Sequence, residues 1–253
     1  MQGGALTFSG DNAGNIQILG KISSAQGDIV IIAPKTEIAA GATLQAGQNI
    51  QLIAANEVQL SNGKLTVTPK LSDAGQLTVA GTLEAAKVQL EAHNNNLGAL
   101  AINTTGTIRA TGTQTNPDGS VSIMAYGDGS NIKVSGNISA QNNDPSKQGG
   151  RIIVGRNERT GELAKSADVS GASFTTNNGF VETSGHDLNV DGTRVLAKDW
   201  LLDPDNLEIT NGTATLGYSA ISATTLSNAL TDGTSITINT TAGTDTYNSA
   251  FNN

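Results

Sequence analysis

The chain has 253 residues, enough for one large domain or two small ones, but charged residues make up 14% and aromatics 3%, which excludes a conventional core built on Phe, Tyr and Trp. A net charge of −8 argues against a nucleic-acid partner or an anionic membrane surface, both of which demand basic patches, and the absence of Cys excludes disulfides and thiolate metal sites. The 37% of apolar residues is too much for a disordered chain, and it arrives in short bursts of Ile, Leu, Val and Ala.

The opening, Met1-Gln2-Gly3-Gly4-Ala5-Leu6, has neither the basic nor the apolar stretch of a signal peptide, and no apolar run approaches the ~20 residues of a membrane helix. The chain opens in mid-pattern, and the expectation is an internal fragment with an added Met. A phrase then recurs along it: a Gly, one or two small or polar residues, and an alternating β-branched burst. The copies are Gly14-Asn15-Ile16-Gln17-Ile18, Gly27-Asp28-Ile29-Val30-Ile31 and Gly47-Gln48-Asn49-Ile50-Gln51-Leu52. Later come Gly75-Gln76-Leu77-Thr78-Val79, Gly119-Ser120-Val121-Ser122-Ile123, Gly150-Arg151-Ile152-Ile153-Val154 and the weaker Gly179-Phe180-Val181-Glu182-Thr183. Shorter bursts lie between them, among them Glu37-Ile38-Ala39, Thr43-Leu44-Gln45, Val58-Gln59-Leu60, Leu65-Thr66-Val67, Val88-Gln89-Leu90, Thr107-Ile108-Arg109 and Ile132-Lys133-Val134. Gly, Asn or Asp punctuates nearly every gap, as tight corners require.

Coils of roughly 20–25 residues with about three short strands each close into a flattened triangle and stack at about 4.8 Å. The narrow interior takes Ile, Val, Leu and Ala but few aromatics. The pattern therefore predicts an all-β fold, a right-handed parallel β-helix (solenoid) of about eight coils and ~40 Å, over residues 1–198. An antiparallel sandwich or barrel is the rival, and it expects longer paired strands and larger core aromatics.

The rhythm breaks near residue 199. Asp199-Trp200-Leu201-Leu202-Asp203-Pro204-Asp205-Asn206 holds the only Trp, and Pro204 is unsuited to a central ladder position. Trp200 reads as an anchor covering the end of the stack. A strand at Leu207-Glu208-Ile209-Thr210 is followed by one helix over 222–231, with Ser222 as N-cap, Leu226 and Leu230 on one face and Gly233 beyond it. Ser235-Ile236-Thr237-Ile238-Asn239 returns to strand, and the polar tail from 241 is expected to fray. Residues 199–253 thus read as a second, connecting or capping segment: short, helix-containing and irregular.

Candidate sites are few. His186 beside Asp187 and Glu182 is expected to be a surface histidine, and His93, before Asn94-Asn95-Asn96, a loop residue. Asp203, Asp205 and Glu208 could offer oxygens to Ca²⁺, but they lack the Gly-centred spacing of a calcium loop, and a Pro-containing turn is the better reading. Arg151, Arg156, Arg159 and Lys165, with Glu158 and Glu162, read as a solvated mixed-charge loop. Asn103, Asn137, Asn211 and Asn239 head Asn-x-Ser/Thr triplets of the kind an Asn- and Thr-rich chain makes by chance. No catalytic, cofactor-binding or metal residue is assigned, and the chain is expected not to be an enzyme.

Four phrases carry a resemblance: Asn177-Asn178-Gly179-Phe180-Val181-Glu182-Thr183-Ser184-Gly185-His186-Asp187-Leu188, then Ala197-Lys198-Asp199-Trp200-Leu201-Leu202-Asp203-Pro204-Asp205-Asn206, then 226–238, with a looser match over 137–150. They resemble the large two-partner-secretion exoproteins: high-molecular-weight adhesins, filamentous haemagglutinin-like proteins and a haem–haemopexin utilisation exoprotein. The resemblance implies a secreted or cell-surface β-helical stalk, lying just after the family's secretion domain. It also implies export through a dedicated outer-membrane transporter, and a receptor or glycan on a host or neighbouring cell as the parent's partner. The family's Asn-Pro-Asn-type export motif is only echoed by Asn116-Pro117-Asp118-Gly119, which reads as a β-turn. A polysaccharide-acting β-helix enzyme, or the shaft of a contact-dependent toxin or haem-acquisition protein, are the alternatives.

Overall fold

The computed structural model describes residues 6–10, 14–61 and 64–240; the tail from 241 lies outside them. Three parallel sheets run side by side along the chain. The first face is built from Ile16–Ile18, Lys35–Ile38, Gln76–Val79, Ile102–Thr104, Asn131–Val134, Ser166–Asp168 and Asp187–Asn189. The second holds Lys21–Ser24, Thr43–Ala46, Thr82–Ala85, Thr107–Thr111, Asn137–Gln141, Ser173–Thr176 and Arg194–Leu196. The third holds Ile29–Ile32, Asn49–Ala54, Lys87–His93, Ser120–Tyr126, Arg151–Val154, Phe180–Gly185, Asp199–Pro204 and Ser235–Ile238. Each circuit visits the three faces in that order, so each strand pairs in parallel with its equivalent one circuit away. The fold is a parallel β-helix. Eight strands at ~4.8 Å give the third face a length of about 34 Å.

Register turns the repeating bursts into columns. On the third face Ile29, Ile50, Val88, Val121, Ile152, Val181, Trp200 and Ile236 stand one above another. On the second, Ile22, Leu44, Leu83, Ile108, Ile138, Phe174 and Val195 do the same. All but Ile22, which is 42% exposed, belong to one continuous core or pack against it, and fully burying a large aliphatic contributes roughly 1.5–3 kcal/mol. On the first face, Thr104 takes a column place between Val79 and Val134. Its hydroxyl is buried without a hydrogen-bond partner among the described residues. Thr104→Val should therefore raise stability by about 1 kcal/mol, read as a higher thermal or urea midpoint.

The corner between the first and second faces is tight, with two or four residues between strands in every circuit. Three successive circuits place Gly81, Gly106 and Gly136 there. The Gly81 carbonyl accepts from Thr107 N–H at 3.0 Å, and the Gly106 carbonyl from Asn137 N–H at 3.1 Å. A Cβ on Gly106 would fall on the Gly81 carbonyl oxygen, and one on Gly136 would fall on that of Gly106. The obstacle is backbone, which cannot rotate away. Gly106→Ala is expected to destabilise by about 1–3 kcal/mol, measured by denaturant unfolding.

Two features depart from the reading of the sequence. The bursts at 58–60 and 65–67 are not coil strands. Glu57–Ser61 and Lys64–Val67 form an antiparallel pair, joined on its other edge by Leu6–Ser9. Val58, Val67 and Leu65 of this flap pack with Ile53 and Ile32 on the outside of the third face. The sheet also carries on past residue 199, because Asp199–Pro204 pairs with Phe180–Gly185 and Ser235–Ile238 pairs with 199–202. Trp200 is thus a fully buried column member between Val181 and Ile236, and Pro204 closes its strand opposite Gly185.

In the eighth circuit Ser219–Ile221 lies against the last first-face strand, and helix α1 (Ala223–Thr231) stands where a second-face strand would be. Ser222 caps α1 by accepting from Thr225 N–H, as the sequence suggests. The buried face is Thr225 and Ala229; Leu226 is partly buried and Leu230 is exposed.

Candidate functional site

The corner between the third face and the first is looser, and its turns make a concavity of about 650 Å³. One wall is the segment after Val154. There Arg156 and Leu163 form an antiparallel bridge, Asn157 N–H donates to the Glu162 carbonyl at 2.9 Å, and Gly161 N–H to that of Asn157 at 2.8 Å. The opposite wall comes from the turn after Tyr126, and the ends from Leu97 and from His186 with Asp203, Pro204 and Asp205.

The wall after Val154 is held by two ion pairs that reach inward under it. An Arg156 guanidinium nitrogen lies 3.3 Å from Glu182, whose Oε1 also accepts from Ser184 Oγ at 3.0 Å. Arg159 reaches Glu91 at 3.4 Å and donates to the Leu65 carbonyl at 3.3 Å, tying this wall to the antiparallel flap. Glu91 also accepts from Gln89 at 3.0 Å. Both carboxylates point to the outside of the third face but lie beneath these segments, each only 1% exposed. The expected solvated loop is thus corrected: Arg156 and Asn157 are buried, because their segment folds back onto the sheet. Arg151 sits apart, with its guanidinium 5.5 Å from the Phe180 ring centroid and 3.2 Å from Glu158.

Burial pushes the Glu91 and Glu182 carboxyls above their usual 4.5, with Arg159 and Arg156 respectively opposing the rise. Burial, reinforced by the Glu91 charge, likewise pushes the Tyr126 phenol up. A carboxyl that holds its proton more tightly folded than unfolded adds stability below its unfolded value and loses it as pH rises through the folded one. The stability of the native protein relative to a Glu91→Gln/Glu182→Gln variant should therefore increase as pH is lowered from neutral toward 4.5, in paired thermal melts.

His186 is exposed, as expected, and its Nδ1 lies 2.9 and 3.0 Å from the two Asp205 carboxylate oxygens. His93 is not a loop residue. It ends its strand, is buried, and its Nδ1 is 2.7 Å from Asp73. Asp73 also accepts from Asn56 and Lys70 N–H, so the pair closes the excursion that carries the flap. Asp203, Asp205 and Glu208 do not converge: Asp203 is buried, Asp205 meets His186, and Glu208 accepts from Thr215 N–H at 2.8 Å. The four Asn-x-Ser/Thr asparagines are exposed or half-exposed.

Trp200 adds a polar tether to its packing, its indole N–H donating to Thr183 Oγ1 at 3.1 Å. None of the described helices is long and apolar enough to cross a membrane. Compared with protein-family models, curated proteins and solved structures, the chain finds no match.

Proposed function

We propose that this chain is a stalk segment of a secreted, surface-exposed adhesin of the filamentous haemagglutinin type, exported by two-partner secretion. The observation that supports it best is the unbroken third-face ladder from Ile29 to Ile238. Each circuit satisfies its backbone groups through its neighbours along the axis, which makes a stiff spacer that can hold a distal binding region away from a cell. The absence of Cys suits a chain that crosses pores unfolded, and the phrases at 177–188, 197–206 and 226–238 supply the family likeness. In this reading the parent's partners are an outer-membrane transporter and a receptor or glycan on another cell, and the rod performs no catalysis.

Placing the chain behind a two-partner secretion domain, with the matching transporter co-expressed, tests the reading. The rod should reach the medium or the cell surface in a protease-resistant form. Accumulation in the periplasm, or arrival as a protease-labile chain, would overturn it.

A further inference from the structure

The corner cleft has a ligand-sized volume, and its chemistry narrows what can fill it. Its residues come from turns of successive circuits, from the one ending at His93, which is followed by Leu97, to the one ending at Pro204. Those circuits are four steps apart, so the cleft runs along the rod axis for about 19 Å. At about 650 Å³ it falls within the range of small-ligand sites.

The lining is mixed at short range. Lys165 offers an ammonium and Thr160 a hydroxyl, while Asp128, Glu162 and Asp205 offer carboxylate oxygens. Neither Lys165 nor the Asp128 carboxylate takes part in an ion pair among the described residues. Apolar surface comes from Leu97, Leu163, Pro204 and the half-buried Tyr126 ring. A purely apolar guest would strip water from these charged groups without replacing its hydrogen bonds. A polyanion would meet four acidic residues against one lysine and the Asp205-bound His186. An extended peptide is best read by a free sheet edge, yet the strands bordering the cleft at 151–154 and 180–185 are paired on both sides.

We propose that this cleft binds a short stretch of an uncharged, hydroxyl-rich oligosaccharide lying along the rod axis. A sugar hydroxyl donates to a carboxylate and accepts from an ammonium at once, and the C–H face of a pyranose ring lies on aromatic and aliphatic surface. The site belongs to the flank of the rod, and the inference does not depend on the stalk reading.

The test is a glycan array probed with the full chain, followed by calorimetric titration of maltotriose, cellotriose, chitotriose, sialyllactose, a heparin tetrasaccharide and trilysine. At least one neutral saccharide should bind saturably and more tightly than the acidic glycans or the peptide. Lys165→Ala and Asp128→Asn, both on exposed side chains, should each weaken that binding about tenfold. Arg109→Ala, on the outside of the second face, should leave it unchanged. Failure of every neutral glycan to bind, a preference for heparin, sialyllactose or trilysine, or affinity indifferent to Lys165 and Asp128 would overturn the proposal. Secretion of the rod is scored separately, so neither result decides the other.

Discussion

Trp200→Ala should destabilise the protein by about 3–5 kcal/mol, the range for truncating a buried large aromatic side chain. The indole is fully buried and stands in register between Val181 and Ile236. Truncation opens a void that the circuits on either side cannot close, because their backbones are fixed by ladder hydrogen bonds. It also leaves Thr183 Oγ1 without the indole N–H that reaches it at 3.1 Å. Solenoid circuits touch only their neighbours, so the damage should be local. Hydrogen exchange should quicken most over 180–204 and 235–238, and least over 29–54. A variant with an unchanged melting midpoint would show that the column does not depend on its largest member.

Glu182→Ala should cost a similar amount, about 3–5 kcal/mol, for a different reason. Arg156 and Glu182 side chains are 8% and 1% exposed, and removing the carboxylate takes from a buried guanidinium the acidic partner 3.3 Å away. Replacing both, as Arg156→Met with Glu182→Leu, should recover most of the loss, because neither charge then has to be kept out of water. Urea unfolding of the two single variants and the double gives the coupling directly. Additive losses would mean that the pair does not act as one unit. Exchange over 155–165 reads the same event locally, since this ion pair helps seat that segment on the sheet.

The architecture was legible in the sequence because one physical rule is repeated. Bursts whose alternate residues are aliphatic recur, most of them behind a Gly or Asn corner, and those at 29–31, 50–52, 88–90, 121–123 and 152–154 fall in one ladder. Strands with a single small inward residue escaped notice, as with Ala167 in Ser166–Asp168. Their pairing comes from neighbouring circuits rather than from their own composition. Alternation says nothing about direction, so the flap strands at 57–61 and 64–67 look like coil strands. Asn62-Gly63 between them is the signal that would have separated them, being the preferred two-residue hairpin turn. Trp200 breaks the texture of the sequence without breaking the ladder, its indole taking a fully buried column place between Val181 and Ile236.

The cleft was not legible. Its charges lie on turns dozens of residues apart, and only the circuit length brings them to one corner. The ion pair beneath it had a readable trace: Arg156 and Glu182 are 26 residues apart, close to one circuit, and Glu182 lies on the outward side of the sheet onto which the Arg156 segment folds. Charges of opposite sign spaced by the repeat length are the sheet analogue of helical i,i+4 pairs, and Lys133 with Asp168 follows the same logic on the first face.

The glycine-lined bend between the first and second faces has a bearing on engineering. It never exceeds four residues, whereas the bend into the third face stretches to nine between Gln141 and Arg151. A foreign epitope spliced into 112–119 or 142–150 would hang from the flank while the circuits above and below keep their spacing. The same graft at 105–106 would wedge two circuits apart and split the rod at that point. Display scaffolds made from this molecule thus have one edge that must stay bare and others open to cargo.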